Sequence, residues 1–248
     1  MNGKHLFKKA LQTGVIGLCV LLLTAAFSSS LKGSGVVLAD GNTGAGAQAD
    51  PINAGEGYTT VLYDNQSGLP TSEANAIAQT KEGFIWIGSY SGLIRYDGNT
   101  FENLSTDAGV SSVVSLFVDS SDRLWIGTND SGVAVMERGV FRRFTKQDGL
   151  KSLSVRTICE DKEGNVFLGT TEGISYFDKS LKLYNISSDE FLHETIRTLK
   201  INSEGTIFGV TLEGSVFTLK DKKLDGFYNA KALNIDGART ILPDDENP

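Results

Sequence analysis

From about residue 58 to the end of the chain, short runs of alternating or clustered apolar residues recur, each bounded by glycine, aspartate or asparagine. Runs of four to six residues closed by turn residues are strand patterns. A helix would need an apolar period near 3.6 over ten or more positions, and no stretch of this region has one. Four of the runs are near-copies: FIWIGSYSG (84–92), RLWIGTNDSG (123–132), NVFLGTTEG (165–173) and TIFGVTLEG (206–214).

Aligned on their aromatic residue, the copies place Trp86, Trp125, Phe167 and Phe208 at successive intervals of 39, 42 and 41 residues. A period of about 41 is that of four-stranded propeller blades. Three residues before each aromatic stands a turn residue (Gly83, Asp122, Gly164, Gly205). Six or seven after it stands another glycine (Gly92, Gly132, Gly173, Gly214). In the first unit NAIAQT, FIWIGS, LIRY and TFENL read as the four strands, with Asp97-Gly98 as a two-residue hairpin signal. A lone blade leaves both faces bare, so blades stack, and the four repeated aromatics are expected to plug the space between neighbouring sheets.

The pattern predicts an all-β chain: a β-propeller of four-stranded blades with repeats of about 41 residues, incomplete at about four blades plus part of a fifth. Two features concern its ends. LYDNQSGL (62–69) matches FRRFTKQDGL (141–150) in setting an aromatic five residues before Gly-Leu. The segment from Tyr58 therefore reads as an orphan fourth strand that closes a ring on the last blade. Arg156, Arg197 and Arg239 share one phase, in VRTI, IRTL and ARTI. The third of these would open a fifth blade, and the chain is expected to be a fragment of a longer protein.

The first 57 residues are different. Residues 1–39 begin with Lys4, Lys8 and Lys9 and run apolar from Leu11 to Phe27, and small-residue cleavage sites follow at Ala39 and, ten residues on, at Ala49. This is the layout of a signal peptide or an N-terminal membrane anchor, and it places the rest of the chain outside the cytoplasm. Residues 40–57 read as a flexible linker and 58–248 as the propeller repeats. The charge balance of the 248-residue chain, −7 overall, is more acidic beyond this leader, which carries four lysines and no acid. Nucleic acid is an unfavourable partner for such a surface.

Chemistry is sparse. Of the two cysteines, Cys19 lies in the leader and Cys159 stands alone, so no internal disulfide is expected. His193 is the only histidine beyond the leader, which leaves neither a metal-ligand spacing nor a base for a nucleophilic triad. No metal, cofactor or catalytic residue is expected. Acid-containing turns such as DKEGN (161–165) lack the ligand spacing of a calcium loop. A sialidase-like enzyme would need convergent arginines, and the arginines at one phase are the single feature that favours it.

The segments GLPTSEANAIAQTKEGFIWIGSYSGLIRYDGNTFENL, VVSLFVDSSDRLWIGTNDSGVAV and VRTICEDKEGNVFLGTTEGISYFD resemble the two-component regulator propeller repeat. The resemblance covers roughly residues 58–248 and is weakest in the fourth copy, where Val210 stands for glycine. It implies the extracytoplasmic sensor region of a membrane-bound signalling protein. The output domain, a histidine kinase or a diguanylate cyclase, would lie outside this chain. The implied partners are a small-molecule or saccharide ligand, the membrane through the N-terminal segment or a further span, and a second copy in a homodimer of the intact protein. The rival readings are a secreted propeller that binds protein or polysaccharide, and a propeller glycosidase or lyase.

Loops on a rigid scaffold carry binding sites. A ligand is expected on the rim formed by the second-to-third-strand turns and the blade connections. Tyr90, Asn129, Asp130, Thr171 and Glu172 would come from the turns, Ser152, His193 and Glu194 from the connections, with Arg156 and Arg197 at the inner edge.

Overall fold

The computed structural model describes residues 61–71, 73–188, 194–233 and 238–243. The expected leader (1–39) and linker (40–57) lie outside them. Four four-stranded sheets make up the described fold. The first holds β1 (Ala76–Gln79), β2 (Ile85–Ser89), β3 (Gly92–Tyr96) and β4 (Phe101–Asn103). The second holds β5 (Val113–Val118), β6 (Leu124–Thr128), β7 (Val133–Glu137) and β8 (Val140–Phe144). The third holds β9 (Val155–Glu160), β10 (Val166–Thr170), β11 (Gly173–Phe177) and β12 (Leu183–Asn185). The fourth holds β13 (Ile196–Ile201), β14 (Ile207–Thr211), β15 (Val216–Lys220) and β16 (Lys223–Tyr228).

Within each sheet the strands follow chain order and pair antiparallel. The first strands β1, β5, β9 and β13 lie side by side and form the inner wall. These are blades of an incomplete propeller, as the period of the repeat predicts.

Packing between sheets explains the repeated motif. Trp86 is buried with Leu124, Ile126 and Ala134 of the second sheet, and Trp125 with Leu168 and Phe177 of the third. Phe167 is buried with Ile196, Ile207 and Leu219 of the fourth. Phe208 is half-buried and belongs to none of these clusters, because no further sheet among the described residues stacks on its side. In the second and third blades the glycine two residues after the aromatic allows the next inner strand to cross close by. A Cβ on Gly127 would stand 2.7 Å from the Val155 carbonyl oxygen, and one on Gly169 2.7 Å from Ile196 Cγ2.

The turn before each aromatic needs a left-handed residue. Gly83, Gly164 and Gly205 supply it at φ 92°, 80° and 93°, and Asp122 supplies it at φ 64°. Aspartate tolerates this region better than most side chains. Its carboxylate also accepts the Lys81 backbone N–H of the neighbouring blade at 3.0 Å. At the start of the same turn, the Asp119 side chain is fully enclosed. It accepts from Arg123 Nε at 2.6 Å and from Trp125 Nε1 at 2.8 Å, so a buried charge is paired rather than stranded.

Two expectations about the ends differ from the structure. Residues 61–71 form no strand. A blade's fourth strand must pair with a third strand, and β3, β7, β11 and β15 are already paired with β4, β8, β12 and β16. The segment instead turns over the first sheet, where the Tyr63 and Tyr96 hydroxyls meet at 2.8 Å and the Tyr63 ring meets Phe101 edge-on at 5.3 Å. The loop equivalence does hold in the backbone: Leu69 N–H donates to the Asp64 carbonyl as Leu150 N–H does to Thr145. Residues 238–243 form no strand either, and Arg239 is exposed there.

Candidate functional site at the rim of the inner wall

In three of the four blades the inner strand meets its second strand through one irregular step. The ladder pairs Val113 with Thr128 and then Ser115 with Gly127, leaving Val114 as an extra residue. Arg156 is the extra residue between Val155 and Thr157, and Arg197 between Ile196 and Thr198. A bulge of this kind re-aims the side chain that a regular pleat would send into the sheet packing. In the first sheet Asn75 holds the matching place just before β1, with its N–H on the Gly88 carbonyl and its Nδ2 on the Val113 carbonyl.

These four residues line one cavity of about 420 Å³ together with Tyr90, Thr171, Thr195, Ile196 and Leu212. The strand-to-strand turns are tied to the inner strands' approach, which fixes the cavity wall. Ser112 N–H donates to the Tyr90 carbonyl, Thr171 N–H to Ser154, and Leu212 N–H to Thr195. A second cavity of about 530 Å³ continues along the inner strands, from Ala76 and Ser115 to Lys200, and shares Val114 and Arg156 with the first.

The charge of the rim cavity is one-sided. Its lining contains two arginines and no carboxylate. Neither arginine forms an ion pair among the described residues, whose salt bridges are made elsewhere, by Arg95, Arg123, Lys146 and Lys222. Arg197 Nε is buried and has no hydrogen-bond acceptor among the described residues. In the adjoining cavity the one acid, Glu160, is already engaged by Ser120 N–H and Oγ, both at 2.7 Å.

Of the residues singled out from the sequence, Tyr90, Arg156, Thr171 and Arg197 come together in this cavity. Asn129, Asp130 and Glu172 do not line it. Asn129 is exposed and reaches Ser154 Oγ at 3.5 Å, Asp130 accepts from Ser131 Oγ, and Glu172 faces Lys146 at 3.6 Å. His193 lies outside the described residues. Ser152 is buried behind the wall, its hydroxyl 2.7 Å from that of Thr171. Asn75, Val114, Thr195, Ile196 and Leu212 were not anticipated. The signal was present for three of them. Asn75 and Val114 stand eleven residues before their blade aromatic, as Arg156 and Arg197 do, and Leu212 stands four after it, as Tyr90 and Thr171 do.

Cys159 is the free cysteine among the described residues, and it lines the wall of the larger cavity. Burial, aided by the nearby Asp161 charge and opposed by Lys200, pushes its thiol up to about 12. A thiol so held is a packing residue and not a nucleophile. Among the described residues no group of three His, Cys, Asp or Glu side chains is placed to hold a metal ion, and no helix is long and apolar enough to cross a membrane.

Comparison with known proteins agrees with this architecture. The extracellular domain of a hybrid two component system from B. thetaiotaomicron is 20% identical, with a TM-score of 0.56 over 67% of this chain and 26% of that one. The extracellular domain of a one component system from the same organism is 20% identical, with a TM-score of 0.55 over 66% and 25%. A streptogramin B lyase is 16% identical, with a TM-score of 0.53 over 65% and 56%. This chain thus spans about a quarter of the length of the two extracellular domains and just over half of the lyase, and at these identities the likeness is one of fold. No curated protein matches significantly. A family model described as Two component regulator propeller matches residues 68–91, 109–130 and 149–172, each running from a loop glycine through the blade aromatic to the turn beyond it. Three stretches of this chain thus carry the two-component regulator propeller repeat.

Proposed function

We propose that this chain is the ligand-sensing, extracytoplasmic part of a membrane-associated signal-transduction protein of a bacterium, with its histidine kinase or diguanylate cyclase output domain outside these 248 residues. The observation that carries the reading is the rim cavity, where equivalent positions of successive blades converge and two arginines lack ion-pair partners among the described residues. Packing needs no such convergence, whereas a concave site with a few placed polar groups is what a small ligand needs. The repeat family, the leader pattern of residues 1–39 and the extracellular domains of similar fold support the location. In this reading the chain binds and does not catalyse.

Two measurements test it. An alkaline phosphatase fused after residue 248 is active when that end is exported, and an inactive fusion overturns the location. Thermal melting of the full chain against a panel of oligosaccharides and small organic acids should find a stabilising ligand, because a ligand that binds only the folded state raises its stability. The gain should vanish in Tyr90→Ala and Thr171→Ala. A panel without effect, or an effect that both variants retain, overturns the assignment of the cavity.

A further inference from the structure

We propose that the rim cavity is an oxyanion site, in which Arg156 and Arg197 together grip a carboxylate, sulfate or phosphate group of the ligand. The inference rests on the binding role proposed above and specifies its chemistry.

Three observations point to it. First, the two guanidinium groups come from the same bulge position of adjacent inner strands, so one structural device delivers both to one cavity. Planar guanidinium groups match the paired oxygens of carboxylates, sulfates and phosphates. Second, the Arg197 Nε donor is buried without an acceptor among the described residues. Buried donors are rarely left without partners, and this one belongs to a residue that lines the cavity. Third, the wall holds no acid to neutralise the pair, although the chain as a whole carries −7. Its remaining polar groups are neutral: the amide of Asn75 and the hydroxyls of Tyr90, Thr171 and Thr195. Thr171 is occupied by Ser152, while the Tyr90 hydroxyl makes no hydrogen bond among the described residues and is available as a third donor.

The test is calorimetric titration of the full chain with D-galacturonate, D-galactose, sodium sulfate and sodium phosphate. D-galacturonate and D-galactose differ essentially in the carboxylate, so their affinity ratio isolates the anion. The expected result is saturable one-site binding of at least one anion, with D-galactose at least tenfold weaker than D-galacturonate and the affinity falling with added sodium chloride. Arg156→Gln and Arg197→Gln should each weaken anion binding at least tenfold. Arg156 is exposed, so its variant folds, and the melting temperature checks the other. Galacturonate binding tighter than sulfate or phosphate identifies an acid carried on a saccharide, and the reverse order identifies a free inorganic anion. Equal affinity for galactose and galacturonate, lost in Tyr90→Ala but kept in the arginine variants, would overturn the oxyanion inference and leave the cavity a binding site. Failure of every anion to bind would overturn it as well.

Discussion

The ring of Phe217 fills the space that a Cβ on Gly209 would occupy. The two are cross-strand partners of β14 and β15, in the place that Ile126 and Ala134 hold in the second blade. Bulk has moved across the ladder while the pair's volume is kept. The glycine of the motif has moved with it, so that Val210, fully buried, stands where Gly127 stands two blades earlier. The fourth copy is therefore a compensated variant and not a decayed one.

Gly209→Ala should destabilise the chain by about 1–3 kcal/mol, the usual cost of overpacking. Phe217→Ala should cost about 3–5 kcal/mol through the cavity it leaves. Because the residues touch, the double variant Gly209→Ala with Phe217→Ala should be more stable than the sum of the single effects requires. Urea unfolding of the four proteins measures the coupling.

Trp125→Ala should cost about 3–5 kcal/mol, since the ring is fully buried between the second and third sheets against Phe177. Trp125→Phe should cost about 1–2 kcal/mol, because the packing is largely kept while Asp119 loses one of its donors. Phe208→Ala should cost less than Phe167→Ala, because Phe208 lacks a covering sheet among the described residues. Melting curves of the set rank them.

Asp122 combines a left-handed backbone with a bond to the neighbouring blade. Asp122→Ala loses the bond and keeps an unfavourable φ, so it should cost about 1–3 kcal/mol. Asp122→Gly loses the bond but relieves the backbone, and should be the milder change. An alanine variant as stable as the glycine variant would contradict this account.

The Cys159 thiol should resist alkylation at pH 8 in the folded chain and react at once in denaturant, as mass spectrometry of iodoacetamide adducts can show. Its folded pKa, about 12, lies above the ordinary 9.0. The unfolded chain therefore releases this proton first as pH rises. The stability that the protonated thiol supplies is whole below pH 9 and is lost between pH 9 and about 12. The stability gap between wild type and Cys159→Ala should shift against the wild type across that window.

Much of the fold was legible because a blade is a local object. Its strands and turns are consecutive in the chain, and their alternation, turn glycines and spacing mark them without reference to anything distant. That holds for all four sheets, including the αL position that Asp122 fills. The strand expected at residues 62–69 is absent for the opposite reason: a strand exists only if a partner edge is free, the third strands of the four described blades offer none, and a free edge is not a property of residues 62–69.

The site was legible in part. Of the residues that line the rim cavity, chemistry and phase together single out Tyr90, Thr171, Arg156 and Arg197, whereas Asn75, Val114 and Leu212 share the phase and lack the conspicuous side chains. Asn129 and Glu172 share the loops but turn away from the cavity. By itself the sequence determined the four blades, strand order within each blade and the positions that repeat, because these follow from local pattern and period. Only the tertiary structure decided which repeated positions face one another. That depends on ladder irregularities at Val114, Arg156 and Arg197, a single extra residue in each strand that no local pattern announces. Stacking the sheets then turns equivalent positions in separate blades into a shared wall.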